Sequence, residues 1–227
     1  MKNLDEARQL ARLMVAIGKL SERRVVALLS DMNQPLGKAV GNSLEVKEAI
    51  NTLRNQGPQD FTEHCLVVAA HMLVIGEKAT TLEEGRKLAE NALKEGKGLE
   101  KLRRLVINQG GDVRYVDQPE LFPPAAVIRD VASPHQGYLN AVDALTIGEA
   151  AVEMGAGRSR KEDPIDHRVG IVVHHKVGDH VKEGDHLFTL HAADEHSFER
   201  AKQQCLSACG WQAEPCPPLP LFYEVIQ

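Results

Sequence analysis

Between residues 30 and 50 the sequence SDMNQPLGKAVGNSLEVKEAI places a Pro-Leu-Gly turn and a second glycine directly before an acidic helix start. Gly37 and Gly41 permit backbone angles that other residues resist, and Pro35 stiffens the approach. Asn42 or Ser43 can cap the helix that carries Glu45, Lys47 and Glu48. Such a loop can aim bare carbonyl oxygens at a ligand, and carbonyls with one carboxylate suit a hard cation. On the N-terminal side, Arg24 to Ser30 (RVVALLS) is a short, β-branched apolar run bounded by charge and turn signals, which predicts a buried strand. Helix, strand, loop and helix in that order indicate α/β architecture.

Other segments are patterned as clearly. From Leu4 to Gly18, the residues Leu10, Leu13, Met14 and Ile17 fall at i, i+3, i+4 and i+7, with Asn3 as the cap, Glu6 three residues on and Gly18 as a stop. The pattern predicts a helix packed by that one face. Val46, Ile50 and Leu53 mark the apolar stripe of the helix after the loop, which ends at Gly57-Pro58, and Phe61 to Gly76 marks a second. Thr81 with Glu84 forms a capping-box pattern opening a third, which ends near Gly96, and Leu99 to Ile107 gives a fourth. After Gly110-Gly111-Asp112 the texture changes. Pro119, Pro123 and Pro124 punctuate the chain, and from Ala125 short strands are favoured, Gly137-Tyr138 and Gly170 to Val173 most clearly. The stretch KVGDHVKEGDHLFTLHA repeats Gly-Asp between the alternating apolar residues Val177, Val181, Leu187 and Leu190, which predicts a tight β-hairpin. It resembles the turn of lipoyl and biotinyl carrier domains. No lysine sits at an exposed tip in an Asp-Lys or Met-Lys-Met setting, so it reads as structural. Asp143 to Met154 and Ser197 to Ala208 can cover these strands as helices. A domain boundary is expected at residues 108–124.

At 227 residues, 43% hydrophobic and 26% charged, the chain can bury a sizeable core and hold two small domains. A net charge of -5 supplies no electrostatic footprint for nucleic acid or anionic lipid. No apolar run approaches the roughly 20 residues of a membrane span, and the polar N-terminus is no secretion signal, so the chain reads as cytoplasmic. Cys65 lies in a helical run and reads as a small core residue. Cys205, Cys209 and Cys216 match no common zinc motif, and His174, His175, His180, His186, His191 and His196 lack helical ligand spacing and read mostly as surface positions, so no zinc site is expected.

The run DMNQPLGKAVGNSLEVKEAI resembles the cation-binding loop and helix of pyrimidine-nucleoside phosphorylases, the family that includes thymidine phosphorylase. The likeness extends through MKNLDEARQLARLMVAIG, QGGD at Gln109 to Asp112, GAGRSRKEDPID at Gly155 to Asp166, KVGDHVKEGDHLFTLHA at Lys176 to Ala192, and PLFYEVI at the end. Family members are longer, and this chain begins where their middle lies. By resemblance the fold is α/β plus α+β. Residues 1–107 would supply the later part of the α/β, phosphate-binding domain with returning helices, 108–124 a linker, and 125–227 a C-terminal α+β domain with a β-hairpin in a barrel-sandwich-like arrangement.

The resemblance implies phosphorolysis, in which inorganic phosphate attacks C1′ of uridine or thymidine to release the base and leave a pentose 1-phosphate. The family's phosphate cradle and its Arg, Ser and Lys base clamp precede this chain. The sequence offers no substitute, whether GxxxxGK[ST], a Gly-Gly-Val-Gly-Asp loop or an Arg-Asp-Val-Thr segment. No catalytic or substrate-binding residue is therefore assigned, and the isolated chain is expected to be inactive. Met1 aligns with a family methionine beside the base, and an initiator methionine accounts for it equally well. What carries over is part of a potassium site, with Leu36 and Ala39 giving main-chain carbonyls and Glu48 a carboxylate. From the residues alone Glu48, opposite the Val46, Ile50, Leu53 stripe, reads as a solvated helix residue; the loop match makes it a ligand. Arg158, Arg160 and Lys161 could bind an anion, but read better as an exposed loop balanced by Glu162 and Asp163. The implied partners are pyrimidine nucleoside and phosphate, with an N-terminal companion chain or a homodimer and no nucleic acid or membrane. A helix such as Leu4 to Gly18 would then expose apolar surface. The alternatives are a subunit of a split phosphorylase and a non-catalytic binding or carrier module.

Overall fold

A computed structural model describes residues 3–158 and 160–227, so the alignment of Met1 lies outside the described residues. Among the described residues the chain divides into two compact units, each assembled from separate stretches: residues 3–31, 59–95 and 220–227 form one, and stretches within 32–58 and 96–219 the other. Helices are followed by antiparallel sheets, an α/β plus α+β arrangement with no closed barrel among the described residues.

The first unit holds α1 (Leu4–Leu20), β1 (Ala27–Ser30), α3 (Gln59–Ile75), α4 (Leu82–Lys94) and β9 (Phe222–Ile226), while α2 (Asn42–Leu53) belongs to the second. Asn3 caps α1 as expected, its side-chain oxygen accepting the Glu6 amide at 2.9 Å. The packed face is not the expected one. Leu10, Leu13, Met14 and Ile17 are exposed, and α1 buries Ala11, Val15 and Gly18. Gly18 is no stop, since a Cβ there would meet Val25 at 2.3 Å; the small residue lets the helix lie close to the following segment, and the helix runs on to Leu20. β1 is shorter than the run that foretold it and is only half-buried, pairing antiparallel with β9 at the chain's far end. α3 and α4 form an antiparallel pair in which Gly85 sits against the Ala70 backbone. Thr81 caps α4 through the Glu84 amide at 3.2 Å, but the Glu84 carboxylate returns to Thr80 rather than closing the box on Thr81. Cys65 is exposed instead of buried, because α3 is apolar around most of its circumference and buries Ala70 and His71.

The second unit holds β2 (Ala39–Val40), α2, α5 (Lys97–Asn108), the single turn α6 (Arg114–Asp117), β3 (Val127–Ala132), β4 (Gly137–Val142), α7 (Ala144–Ala151), β5 (Gly170–Val173), β6 (His180–Val181), β7 (His186–Ala192), α8 (Glu195–Ser207) and β8 (Cys209–Gln212). One sheet runs β2-β5-β7-β3 and a second β6-β4-β8. Val131, Leu139, Val142, Ile147, Val173, Val181, Leu187, Phe188 and Leu190 form one buried core shared by these strands and by α7 and α8. Asp194 opens α8 with a complete capping box, and Asp143 caps α7 through the Thr146 amide at 2.7 Å.

The two Gly-Asp repeats are two copies of one turn. In each, the aspartate carboxylate accepts the amide of the lysine three residues before it, Asp179 from Lys176 at 2.9 Å and Asp185 from Lys182 at 2.8 Å. β5 and β7 do pair antiparallel, so the stretch is a hairpin in outline but not a tight one: β6, between the turns, leaves to join β4 in the second sheet. Residues 108–124 carry α6 and a 3₁₀ turn at Pro119–Leu121, held by Arg54, whose guanidinium donates to the Val116 and Asp117 carbonyls at 2.8 and 2.7 Å.

Candidate cation site

The loop between Gln34 and Gly41 is stitched to its surroundings almost entirely through its backbone. The Gln34 side-chain oxygen accepts the Val177 amide at 3.0 Å, and the Lys38 carbonyl accepts the Val173 amide at 2.7 Å. Ala39 lies opposite Val172, and its amide turns with that of Lys38 toward the Glu48 carboxylate. Gly41, at φ +127, is the N-cap of α2, and a Cβ there would lie 2.8 Å from the Val169 oxygen and 2.9 Å from the Gly170 Cα. Gly41 and Gly170 thus let β2 run directly against β5.

Neither Asn42 nor Ser43 caps α2. The Asn42 amide group donates to the Ala156 carbonyl at 2.7 Å and Ser43 is buried, while the Glu45 carboxylate reaches back to the Gly41 amide at 2.8 Å and does the capping. One turn on, Glu48 is half-buried and one of its carboxylate oxygens accepts the amides of Lys38 and Ala39 at 2.9 and 3.1 Å. The solvated-residue reading of Glu48 does not hold: its charge is directed at the loop. The expected stripe also needs correction, since Ile50 is fully buried but Val46 is exposed. Ala39, Glu48, Lys38, Lys47 and Val172 line a cleft of about 350 Å³ between α2 and the sheet edge.

The loop already holds a positive charge. The Lys176 ammonium, from the turn after β5, donates to the carbonyls of Pro35 and Gly37. Sequence reasoning missed this residue, because Lys176 reads locally as the first position of a Lys-Val-Gly-Asp turn and its partners lie about 140 residues earlier. The carbonyls it holds are those of Pro35 and Gly37, not those of Leu36 and Ala39.

The remaining candidates are placed elsewhere. Arg158, Arg160 and Lys161 are exposed, and Arg160 and Asp163 close a turn on each other through the Arg160 amide at 2.7 Å. Two histidines meet on one polar pair: the Thr189 hydroxyl donates to Asp130 at 2.5 Å, His186 meets Asp130 at 3.1 Å and His174 meets Thr189 at 2.7 Å, while His180 packs edge-on against Tyr138. Burial lowers the pKa of both His174 and His191. The Cys205 and Cys209 thiols are pushed up to about 12 by burial, and Cys216 donates to the Leu139 carbonyl. Among the described residues no group of three His, Cys, Asp or Glu side chains is placed to hold a metal ion.

Two family profiles match this chain. Residues 1–99 match the glycosyl transferase family, a/b domain, and residues 138–210 match the pyrimidine nucleoside phosphorylase C-terminal domain. The pyrimidine-nucleoside phosphorylase of Geobacillus stearothermophilus is 43% identical over 226 residues, covering 100% of this chain and 52% of that protein. That of Staphylococcus haemolyticus (strain JCSC1435) is 47% identical over 196 residues, covering 86% of this chain and 45% of that protein. The chain belongs to the pyrimidine-nucleoside phosphorylase family. It spans about half the length of the curated relatives it matches and corresponds to their C-terminal portion. The loop of residues 34–41 of this phosphorylase-family chain lies inside the first matched region, and the turn that bears Lys176 lies inside the second. No helix among the described residues is long and apolar enough to cross a membrane.

Proposed function

We propose that this chain contributes the cation loop and the C-terminal domain of a pyrimidine-nucleoside phosphorylase, which transfers the pentose of uridine or thymidine from base to inorganic phosphate. The observation that supports the reading most is that Ala39 and Glu48 line one cleft, with the Ala39 amide donating to the Glu48 carboxylate. Leu36 and Ala39 would hold potassium through main-chain oxygens and Glu48 through its carboxylate. When bound, the ion supplies positive charge that steadies the loop. The protein's own groups do the rest. Glu48 fixes the loop amides, Glu45 fixes the start of α2, and the Gly41–Gly170 contact seats the whole on β5.

The phosphate cradle and base clamp come from polypeptide outside these residues, so turnover needs that part to be present, in the same chain or as a companion. The test is phosphate-dependent release of uracil from uridine in potassium buffer, by this chain alone and after mixing with the N-terminal half of the Geobacillus stearothermophilus relative. Activity only in the mixture is expected. Turnover by these residues alone, or none in the mixture despite association, would contradict the reading.

A further inference from the structure

We propose that the exposed apolar stripe of α1 and the open edge of β1 form one docking surface, and that its occupant is polypeptide equivalent to the N-terminal half of the phosphorylase relatives. The inference rests on the companion reading above and adds where that companion binds.

The first unit is short of a core. Its buried apolar side chains are Ala11, Val15, Leu29, Ala70 and Ala79, mostly alanines, while the large buried cluster lies wholly in the other unit. Much of the apolar bulk of α1 is left outside. Leu10, Leu13, Met14, Ile17 and Leu20 are between 42% and 87% exposed and recur at helical spacing, so they form one stripe along the helix. A contiguous apolar stripe of that kind marks an interaction surface. β1 is equally incomplete. Its apolar, β-branched run is that of a strand covered on both faces, as in a parallel sheet, yet Ala27, Leu28 and Ser30 are only half-buried. Among the described residues β9 is the one strand paired with it, and a two-stranded sheet is marginal by itself.

The order of elements points to the occupant. α1 runs into β1 and packs on it, with Gly18 against Val25, which is how a crossover helix delivers a strand parallel to an earlier one. The earlier strand belongs on the open edge of β1, and β9 then becomes the antiparallel edge strand of a larger sheet. The relatives possess the polypeptide required: this chain covers 52% of the Geobacillus stearothermophilus protein and corresponds to its C-terminal portion, which leaves the N-terminal half to supply it.

The test is co-expression of this chain, carrying an affinity tag, with the N-terminal half of the Geobacillus stearothermophilus relative, followed by hydrogen exchange on the captured complex. The wild type should retain the half, and the β1 amides that turn away from β9 should exchange about tenfold more slowly, or slower still, in the complex than in the chain alone. Leu13→Glu/Ile17→Glu, with circular dichroism confirming that it folds, should retain about tenfold less of the half or lower. Leu145→Glu, no less exposed but in the other unit, should retain the wild-type amount. Equal retention by the double variant, or β1 amides unchanged in the complex, would overturn the proposal and leave the companion reading to be judged by uracil release from the same complex. No retention by the wild type, or a homodimer of this chain that the double variant dissolves, would overturn it as well. Retention that depends on α1 without uracil release would keep the docking surface and remove the catalytic reading.

Discussion

Glu48 contributes to the fold even before any ligand is considered, because a half-buried carboxylate accepting two amides cannot be removed without stranding those donors. Glu48→Ala is expected to cost about 1.5–3 kcal/mol, read as a lowered midpoint in urea at unchanged slope; a change within experimental scatter would mean that the amides find water instead. Three histidines bear on the acid side of the stability profile. His64, His174 and His191 are harder to protonate in the fold than at their ordinary value of 6.5, in each case mainly through burial. Their folded pKa values are depressed, so below 6.5 the unfolded chain binds more protons than the native one. Their contribution is complete above that pH and is lost as pH falls through it. Melting temperature should drop from pH 7.5 to 5.5, and the double variant His174→Gln/His191→Gln should flatten that slope; an equal slope would place the titration elsewhere. The thiols follow the same physics: Cys65, exposed but with its pKa raised by partial burial, should react with a disulfide reagent in the folded chain more slowly at pH 8 than a free thiol, and Cys205 and Cys209 only on unfolding.

At the level of elements, the period of α1 was legible and its buried side was not. Leu10, Leu13, Met14 and Ile17 have helical spacing, yet the contact is made by Ala11, Val15 and Gly18, where small side chains permit an approach that leucines would block. Apolar bulk therefore identified the wrong face. Leu13→Glu and Ile17→Glu should each leave stability within about 0.5 kcal/mol, whereas Ile50→Ala, with no exposure at all, should cost about 2–5 kcal/mol. Similar losses at all three positions would contradict this packing. The caps at Asn3 and Thr81 and the strands at Gly137 and Gly170 were readable because their causes are local. The pairing of β1 with β9, the departure of β6 to the second sheet and the Lys176 contact were not, since each joins residues whose neighbours in sequence carry no trace of the partner.

Across the whole molecule, the segment from Met32 to Pro58 shares a compact unit with the sheets of the C-terminal part, and the loop is bonded to β5 and the turn beyond it. A change in that turn should therefore be felt in the loop, although the two lie far apart in sequence. Recognising Leu36, Ala39 and Glu48 depended on resemblance; their local chemistry alone left Glu48 a surface residue, and the fold supplied the reason it is not. The most direct check of the account is uracil release from uridine and phosphate by this chain mixed with the N-terminal half of a relative, in potassium and in sodium, with wild-type chain and with Glu48→Ala. The account predicts turnover with the wild type, and a loss of about tenfold or more with Glu48→Ala, the scale of one charge-assisted contact. Equal rates for the two chains, or full activity of either without its companion, would contradict it.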